Sequence, residues 1–342
     1  MTATDGEHPA MSVVVATLDR AERLERLLRA LAGQRDGPTF EVVVVDDGSA
    51  DASAARARSL APTLAYPLTV LDGGERPHGP ATARNLGWRA AGGDIVAFID
   101  DDCVPDRGWL GALRDAIDGA DLVLGRTTFP ADQAGRRGPF GSWMEVDGED
   151  DGHYPTCNIA YRRRVLEAVD GFDEAGFRYR SARGQRRRAI NGEDTDLAWR
   201  AKEAGFRSTF APDALVYHDV HPSDFRAYLR DVRRYEGLVL LLHKHPELRR
   251  RLAPRRFYRP IHAAALVALG ALVVVAARPR SSVARGGAAA GTAWYAWQCR
   301  RGHHTPGPLW GWAMVVPRSF VAQLYAVVVM GRASLRYRTL VL

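Results

Sequence analysis

Residues 40–45 read Phe-Glu-Val-Val-Val-Val, and the run ends abruptly at Asp46-Asp47-Gly48-Ser49. A strand that is apolar without alternation has to be covered on both faces, as happens in a parallel sheet between two layers of helices. The flanking segments follow the same rule. Residues 11–16 form another short valine-rich run, and over residues 20–32 Leu24, Leu27, Leu28 and Leu31 share one helical face. Helix-prone 51–60, short apolar 68–71, helix-like 81–91 and apolar 95–99 continue the alternation. Together they predict an α/β fold with a doubly wound sheet, in which polar residues gather where strands end and ligands bind. A further strand is predicted over 121–128, a long functional loop over 130–155, regular structure at 158–161 and 163–169, and a helix over 195–204 closed by Gly205.

With 342 residues and 46% hydrophobic content, the chain is long enough for one large core and a smaller appendage. The net charge of +7 is carried almost wholly by arginine, since Lys202 and Lys244 are the lysines. That charge suits nucleic acid, anionic lipid or phosphorylated ligands alike. Cys103, Cys157 and Cys299 are too few and scattered for a disulfide framework and have no metal-ligand spacing, which points to a reducing compartment. Residues 1–10 lack the apolar stretch of a secretory signal, so the first domain is expected to stay cytoplasmic.

The composition changes in the last third. Over 224–244, Phe225, Tyr228, Leu229, Val232, Tyr235, Leu238, Val239 and Leu242 recur at helical spacing with arginines opposite, an amphipathic pattern for packing on the sheet or at a membrane surface. Residues 261–277 carry no charge apart from His262, and as a helix would extend ~25 Å against a ~30 Å hydrocarbon core. Residues 286–298 are a weaker apolar stretch. With Arg249, Arg250, Arg251, Arg255, Arg256 and Arg259 before the first and Arg300-Arg301 after the second, the pattern predicts a helical hairpin in the inner membrane with both basic flanks on the cytoplasmic side, which places the protein at the cytoplasmic face of that membrane. A buried soluble helix pair is the alternative. Residues 309–342, interrupted by Pro317, Arg318, Arg332 and Arg336, predict an interfacial amphipathic helix. The expected domains are therefore 1–222, a helical linker over 223–260, and membrane-associated helices over 261–342.

Chemistry concentrates in acidic runs. Asp100-Asp101-Asp102 follows the strand predicted over 95–99. Clustered carboxylates raise one another's pKa unless a cation compensates them, and oxygen ligands of this kind favour Mg2+ or Mn2+ completed by water and phosphate. If strand geometry persists, Asp100 and Asp102 point to one side and Asp101 turns away. Taken alone, such a run reads as a solvated turn.

Five further motifs accompany it in order: Asp46-Asp47-Gly48-Ser49, the helix opening at residues 79–87, Cys157-Asn158, Gly192-Glu193-Asp194 and Tyr217-His218. In this order and spacing, residues 12–218 resemble the family 2 inverting glycosyltransferases of GT-A fold, the cell-envelope saccharide type with a membrane-associated C-terminal region. The resemblance implies a nucleotide-sugar donor, UDP- or dTDP-linked, cradled by Ala16, Thr17, Leu18 and Asp19. Leu18 stands where the family usually has an aromatic residue. It further implies that Asp47 accepts a hydrogen bond from the base, Arg84 pairs with the diphosphate unless it is a solvated helix arginine, Asp100 meets the ribose with Asp101 in support, and Asp102 and His218 hold the metal. Asp194 is implied as general base with Glu193 as the adjacent alternative, although both also suit helix capping. Asn158 would line the donor or acceptor pocket, or be a buried structural amide.

The arginines of residues 178–188, with Arg186, Arg187 and Arg188 together, would meet the phosphate of a polyprenyl-diphosphate-linked saccharide acceptor, or form an ordinary solvated loop. A polyprenyl-phosphate sugar synthase shares the nucleotide motifs, but a phosphate nucleophile needs no base. A non-catalytic nucleotide-binding scaffold would not require every carboxylate. No aromatic-basic platform supports RNA binding.

Overall fold

The computed structural model describes residues 8–149, 152–179, 188–252, 256–302 and 309–342. These fall into two compact units. The first comprises residues 1–133 and 143–219, the second 134–142 and 220–342.

In the first unit, β1 (Met11–Thr17), α1 (Ala21–Leu31), β2 (Phe40–Asp46), α2 (Ser53–Leu60), β3 (Leu68–Asp72), α3 (Pro80–Ala90) and β4 (Ile95–Phe98) alternate as expected. Then come β5 (Cys103–Pro105), α4 (Trp109–Ile117), β6 (Leu122–Thr128), β7 (Ile159–Arg162), α5 (Arg163–Ala168), the two-residue strands β8 (Arg178–Tyr179) and β9 (Arg188–Ala189), α6 (Glu193–Glu203) and β10 (Ser208–His218). Eight strands form one mixed sheet in the order β3-β2-β1-β4-β7-β6-β10-β5. Pairing is parallel across β3, β2, β1 and β4, antiparallel on both sides of β7, parallel for β6 with β10, and antiparallel for β10 with β5.

The valine runs act as their pattern requires. Successive strand residues point to opposite faces: Met11, Val13 and Val15 pack with Leu24, Leu27, Leu28 and Leu31 of α1 on one side. Val14, Val43 and Val45 pack with Trp88 of α3 and Leu197 of α6 on the other. Gly87 lets α3 approach that face, because a Cβ there would lie 2.5 Å from Val14 Cγ1. The sheet's buried body thus delivers the C-terminal ends of β1, β2 and β4, with their polar tails, to one edge.

The second unit contains α7 (Phe225–Val232), α8 (Tyr235–Lys244), α9 (Pro260–Ala277), α10 (Ser282–Gly302) and α11 (Leu309–Tyr337). The amphipathic stretch expected over 224–244 is two helices. The break falls where Arg234 N–H bonds Asp231 O and Gly237 N–H bonds Arg234 O, a tightening to i→i+3 bonds. The helix expected over 309–342 runs from Leu309 to Tyr337, through Pro317. Among the described residues, two helices are long and apolar enough to cross a membrane by length and composition, α9 and the stretch 312–337 of α11, and α10 is not one of them. Ala264, Ala265 and Ala268 of α9 pack on Tyr295 and Cys299 of α10, with Val315, Val316 and Phe320 of α11 against them. The far half of α11 bonds elsewhere in this unit, through Tyr325 to Arg233 at 2.9 Å and through Arg336 and Tyr337 to Glu236. The chain end is pinned beside the start of α9 by Leu342 N–H to Arg256 O and Tyr258 N–H to Leu342 O.

Candidate active site

Because β1 and β4 are parallel neighbours, the loop after one faces the acidic run after the other. β4 ends at Phe98, and Cys103 N–H closes a turn onto Asp100 O at 3.1 Å. Strand periodicity therefore stops before the carboxylates, which corrects the expectation that Asp101 turns away from the other two. Asp101 and Asp102 face the same partner: Arg20 Nη1 lies 2.7 Å from Asp101 Oδ1 and 2.6 Å from Asp102 Oδ2. Thr17 Oγ1 donates to Asp101 Oδ2 at 2.8 Å. Burial, with the neighbouring Asp102 charge, raises the Asp101 pKa against the opposing pull of Arg20 and Thr17. Burial also opposes the Arg20 charge, but Asp101 and Asp102 outweigh it and hold the guanidinium protonated.

Asp100 is the more accessible member and pairs with Arg84 Nη2 at 2.8 Å. Arg84 Nη1 reaches Glu193 Oε1 at 3.1 Å. The diphosphate partner expected at Arg84 is thus a buried strut between two carboxylates, because α3 is packed against the sheet and carries the side chain inward. Its neighbour Asp194 sits half-buried at the start of α6, where Gly192 takes φ 116° and Thr195 N–H donates to Asp194 Oδ1 at 2.7 Å. Burial, and the nearby Asp100 charge, raise the Asp194 pKa more than Arg84 and the Thr195 amide lower it. A carboxylate poised in this way is a stronger proton acceptor than a free one.

At the loop after β1, Leu18 is 37% exposed. Ala16 is half-buried and Thr17 fully buried. Asp19, at φ 55°, accepts from Ala50 N–H at 2.6 Å and ties this loop to the one after β2. Gly48, at φ 82°, makes the β2 turn and lies where a Cβ would meet Gly74 O at 2.8 Å. Asp47 was expected to read the base. Instead its two oxygens accept the N–H groups of His78 and Gly79, both at 2.8 Å, so it braces the loop that leads into α3. Asn158 is likewise corrected. It is fully buried, accepts from Trp109 Nε1 at 2.8 Å, and donates to Arg126 O at 2.8 Å and Ala214 O at 2.7 Å. An amide so occupied locks β6 and β10 together and presents no surface to a ligand.

The last member comes from β10, whose residue His218 is registered with Cys103 of β5. His218 Nε2 lies 3.4 Å from Asp102 Oδ1, and its Nδ1 lies 2.9 Å from Asp219 O. A ring whose Nδ1–H donates to a carbonyl presents the Nε2 lone pair, and a lone pair beside a carboxylate suits two ligands of one cation. Asp102, Cys103 and His218 bring one ligand atom each within 4.8 Å of one another. Burial holds the Cys103 thiol well above its ordinary pKa, and the carboxylate oxygen of Asp102 with the imidazole nitrogen of His218 is a donor pair that fits Mn2+ or Mg2+.

Three functional residues escaped the sequence reading. Arg20 is one. The others are Asp219, whose N–H bonds Asp102 O at 3.1 Å, and Arg26, which holds Asp219 Oδ2 at 2.6 Å. Together they fix the end of β10 against the acidic turn. Their partners lie far away in sequence, Arg20 being 81 and 82 positions from its two aspartates, so no local pattern marks them. Arg186 and Arg187 lie outside the described residues, and Arg188 belongs to β9.

The family model for glycosyl transferase family 2 matches residues 12–191. The chain is 30% identical over 263 residues to a pre-mycofactocin glycosyltransferase of Mycobacterium tuberculosis, a match covering 70% of this chain and 49% of that protein. It is 30% identical over 222 residues to glycosyltransferase AglE of Haloferax volcanii, covering 63% of this chain and 68% of that protein. The chain therefore spans about half the length of the mycobacterial relative. Among solved structures, a mannosyltransferase from Pyrobaculum calidifontis, in complex with GDP-Man and Mn2+, superposes with a TM-score of 0.60 at 21% identity. That match covers 94% of this chain and 87% of that one. The likeness shows the GT-A fold.

Proposed function

Since the chain belongs to glycosyl transferase family 2, we propose that it moves a sugar, with inversion, from a UDP- or dTDP-linked donor to a hydroxyl of a lipid-linked or cell-envelope saccharide. The observation that carries this reading is the meeting, at one sheet edge, of the acidic turn after β4 with the raised-pKa carboxylate of Asp194, linked by Arg84. Asp194 Oδ2 takes the acceptor proton as that oxygen attacks the anomeric carbon opposite the departing nucleoside diphosphate. One bond forms as the other breaks, so no covalent enzyme intermediate arises. Arg84 keeps Asp100 and Glu193 in place, Asp100 toward the ribose and Glu193 beside the base. Ala16, Thr17, Leu18 and Asp19 cradle the nucleotide. Asp102 and His218 would hold Mn2+ or Mg2+, which supplies positive charge for the leaving diphosphate.

We place the reaction at the cytoplasmic face of the inner membrane. Support comes from the second unit, where α9 exposes Val267, Leu269, Leu272, Val273 and Val274, and α10 exposes Trp294 and Trp297. Such aliphatic surface beside interfacial tryptophans suits lipid. A polyprenyl-diphosphate-linked acceptor would then meet Arg186, Arg187 and Arg188. The test is transfer from nucleotide sugars by wild type and Asp194→Asn, with and without Mn2+. Equal rates in the two proteins would refute the assignment of the base, and a rate indifferent to chelation would refute the metal.

A further inference from the structure

We propose that Arg20 competes with the divalent cation for Asp102: its guanidinium, bridging Asp101 and Asp102, holds the acidic turn together without metal, and a metal held by Asp102 and His218 would displace it. This rests on the metal reading given above.

The geometry is specific. A single nitrogen, Nη1, bridges two carboxylates at 2.7 and 2.6 Å, while the two aspartate side chains are each only 4% exposed. Two buried carboxylates on adjacent residues are costly unless a cation lies between them. Arg20 supplies that cation from the open side, since its own side chain is 39% exposed and enters from the residue just before α1. Asp102 is thereby shared. Its Oδ2 belongs to Arg20 and its Oδ1 faces His218 Nε2 at 3.4 Å. A metal drawing on Asp102 competes with Arg20 for one carboxylate, and a long, part-exposed side chain is free to leave without moving the backbone. Arg26 and Arg23 do not share this role, because both point to Asp219, at 2.6 and 3.7 Å. Displaced from the aspartates, Arg20 stands at the mouth of the same site as a spare cation for the donor's diphosphate. Arg20 thus keeps the acidic turn assembled without a divalent cation, at the expense of metal affinity.

The experiment compares Mn2+ binding by calorimetry, and melting in chelator, for the full chain and the variants Arg20→Met, Arg20→Lys and Arg23→Met. Arg20→Met should melt at lower temperature in chelator yet bind Mn2+ roughly tenfold more tightly, the loss of one hydrogen bond to a charged group. Lysine should fall between, and it keeps the test usable if the methionine variant does not fold. Arg23→Met removes a charge one turn away and should leave the Kd unchanged. An unchanged or weaker Kd in both Arg20 variants overturns the proposal, as does equal tightening by Arg23→Met, which would mean bulk charge alone. If neither the wild type nor any variant takes up Mn2+, the metal reading itself fails. If only the Arg20 variants bind, displacement by Arg20 is shown in its strongest form.

Discussion

Val43 and Val273 are the same residue in opposite surroundings, one 1% exposed inside the sheet and the other 59% exposed on α9. The contrast extends to whole units. Among the described residues, every exposed large hydrophobic side chain apart from Leu18 and Leu86 lies within residues 267–340. The first unit uses its aliphatic residues to build a sheet whose edge can hold charges, while the second turns its own outward. A surface of this kind is stable only where the surrounding medium is itself apolar or where it is covered.

Lysine at each position is the sharpest way to break that contrast. Val43→Lys should abolish folding, because a buried unpaired charge costs more than about 5 kcal/mol, comparable to a domain's whole stability. Val273→Lys should leave the fold intact and weaken membrane association, by about 3 kcal/mol if the position lies at mid-bilayer. Circular dichroism reads the first and vesicle flotation the second. Two folded, equally membrane-bound variants would dissolve the distinction.

Within the first unit, Asp194→Asn should lower transfer by about 10³-fold with donor affinity retained, the usual size of a general-base contribution. The same change should raise the melting temperature at neutral pH. The sign follows from burial: a carboxyl whose folded pKa is raised contributes stability below its unfolded pKa and loses it as pH rises through the folded one. Activity runs the other way, rising with pH as Asp194 ionises. A melting temperature that falls at pH 7 would contradict the direction of that shift.

Asn158→Ala should cost about 3 kcal/mol in denaturant melts, since it strands the buried Trp109 indole N–H and Ala214 carbonyl and the part-buried Arg126 carbonyl. Its KM for donor should stay near wild type, whereas a raised KM with unchanged stability would restore Asn158 to the pocket. The smallest effect is expected from Arg186, Arg187 and Arg188 changed together to serine. That variant should raise KM for a phosphorylated lipid acceptor several-fold, as expected if the three charges together contribute about 1 kcal/mol. It should leave KM for the donor alone.

Local pattern and tertiary structure contributed differently to this site. Asp100, Asp102, Asp194 and His218 were singled out by the family resemblance of six ordered motifs, and all four stand beside strand ends or at a helix start, where ligands bind in such sheets. Asp47 and Arg84 were legible as polar residues at such positions but not in their contacts. Both belong to the loop-to-α3 connection, where Asp47 accepts two backbone N–H groups and Arg84 is carried inward by the packing of its helix. The two-helix form of residues 225–244 was hidden because its apolar spacing runs on through the break.

By itself the sequence determined the alternation of strand and helix, the sheet with both faces covered, and the acidic edge, since these follow from periodicity and from where apolar runs stop. Only the tertiary structure decided which charges meet. Arg20 reaches Asp101 and Asp102 because β1 and β4 lie side by side, and Asp219 reaches Arg26 because the end of β10 comes to rest against α1. Pairing across 81 to 193 positions is set by strand order, and strand order leaves no trace in the spacing of residues along the chain.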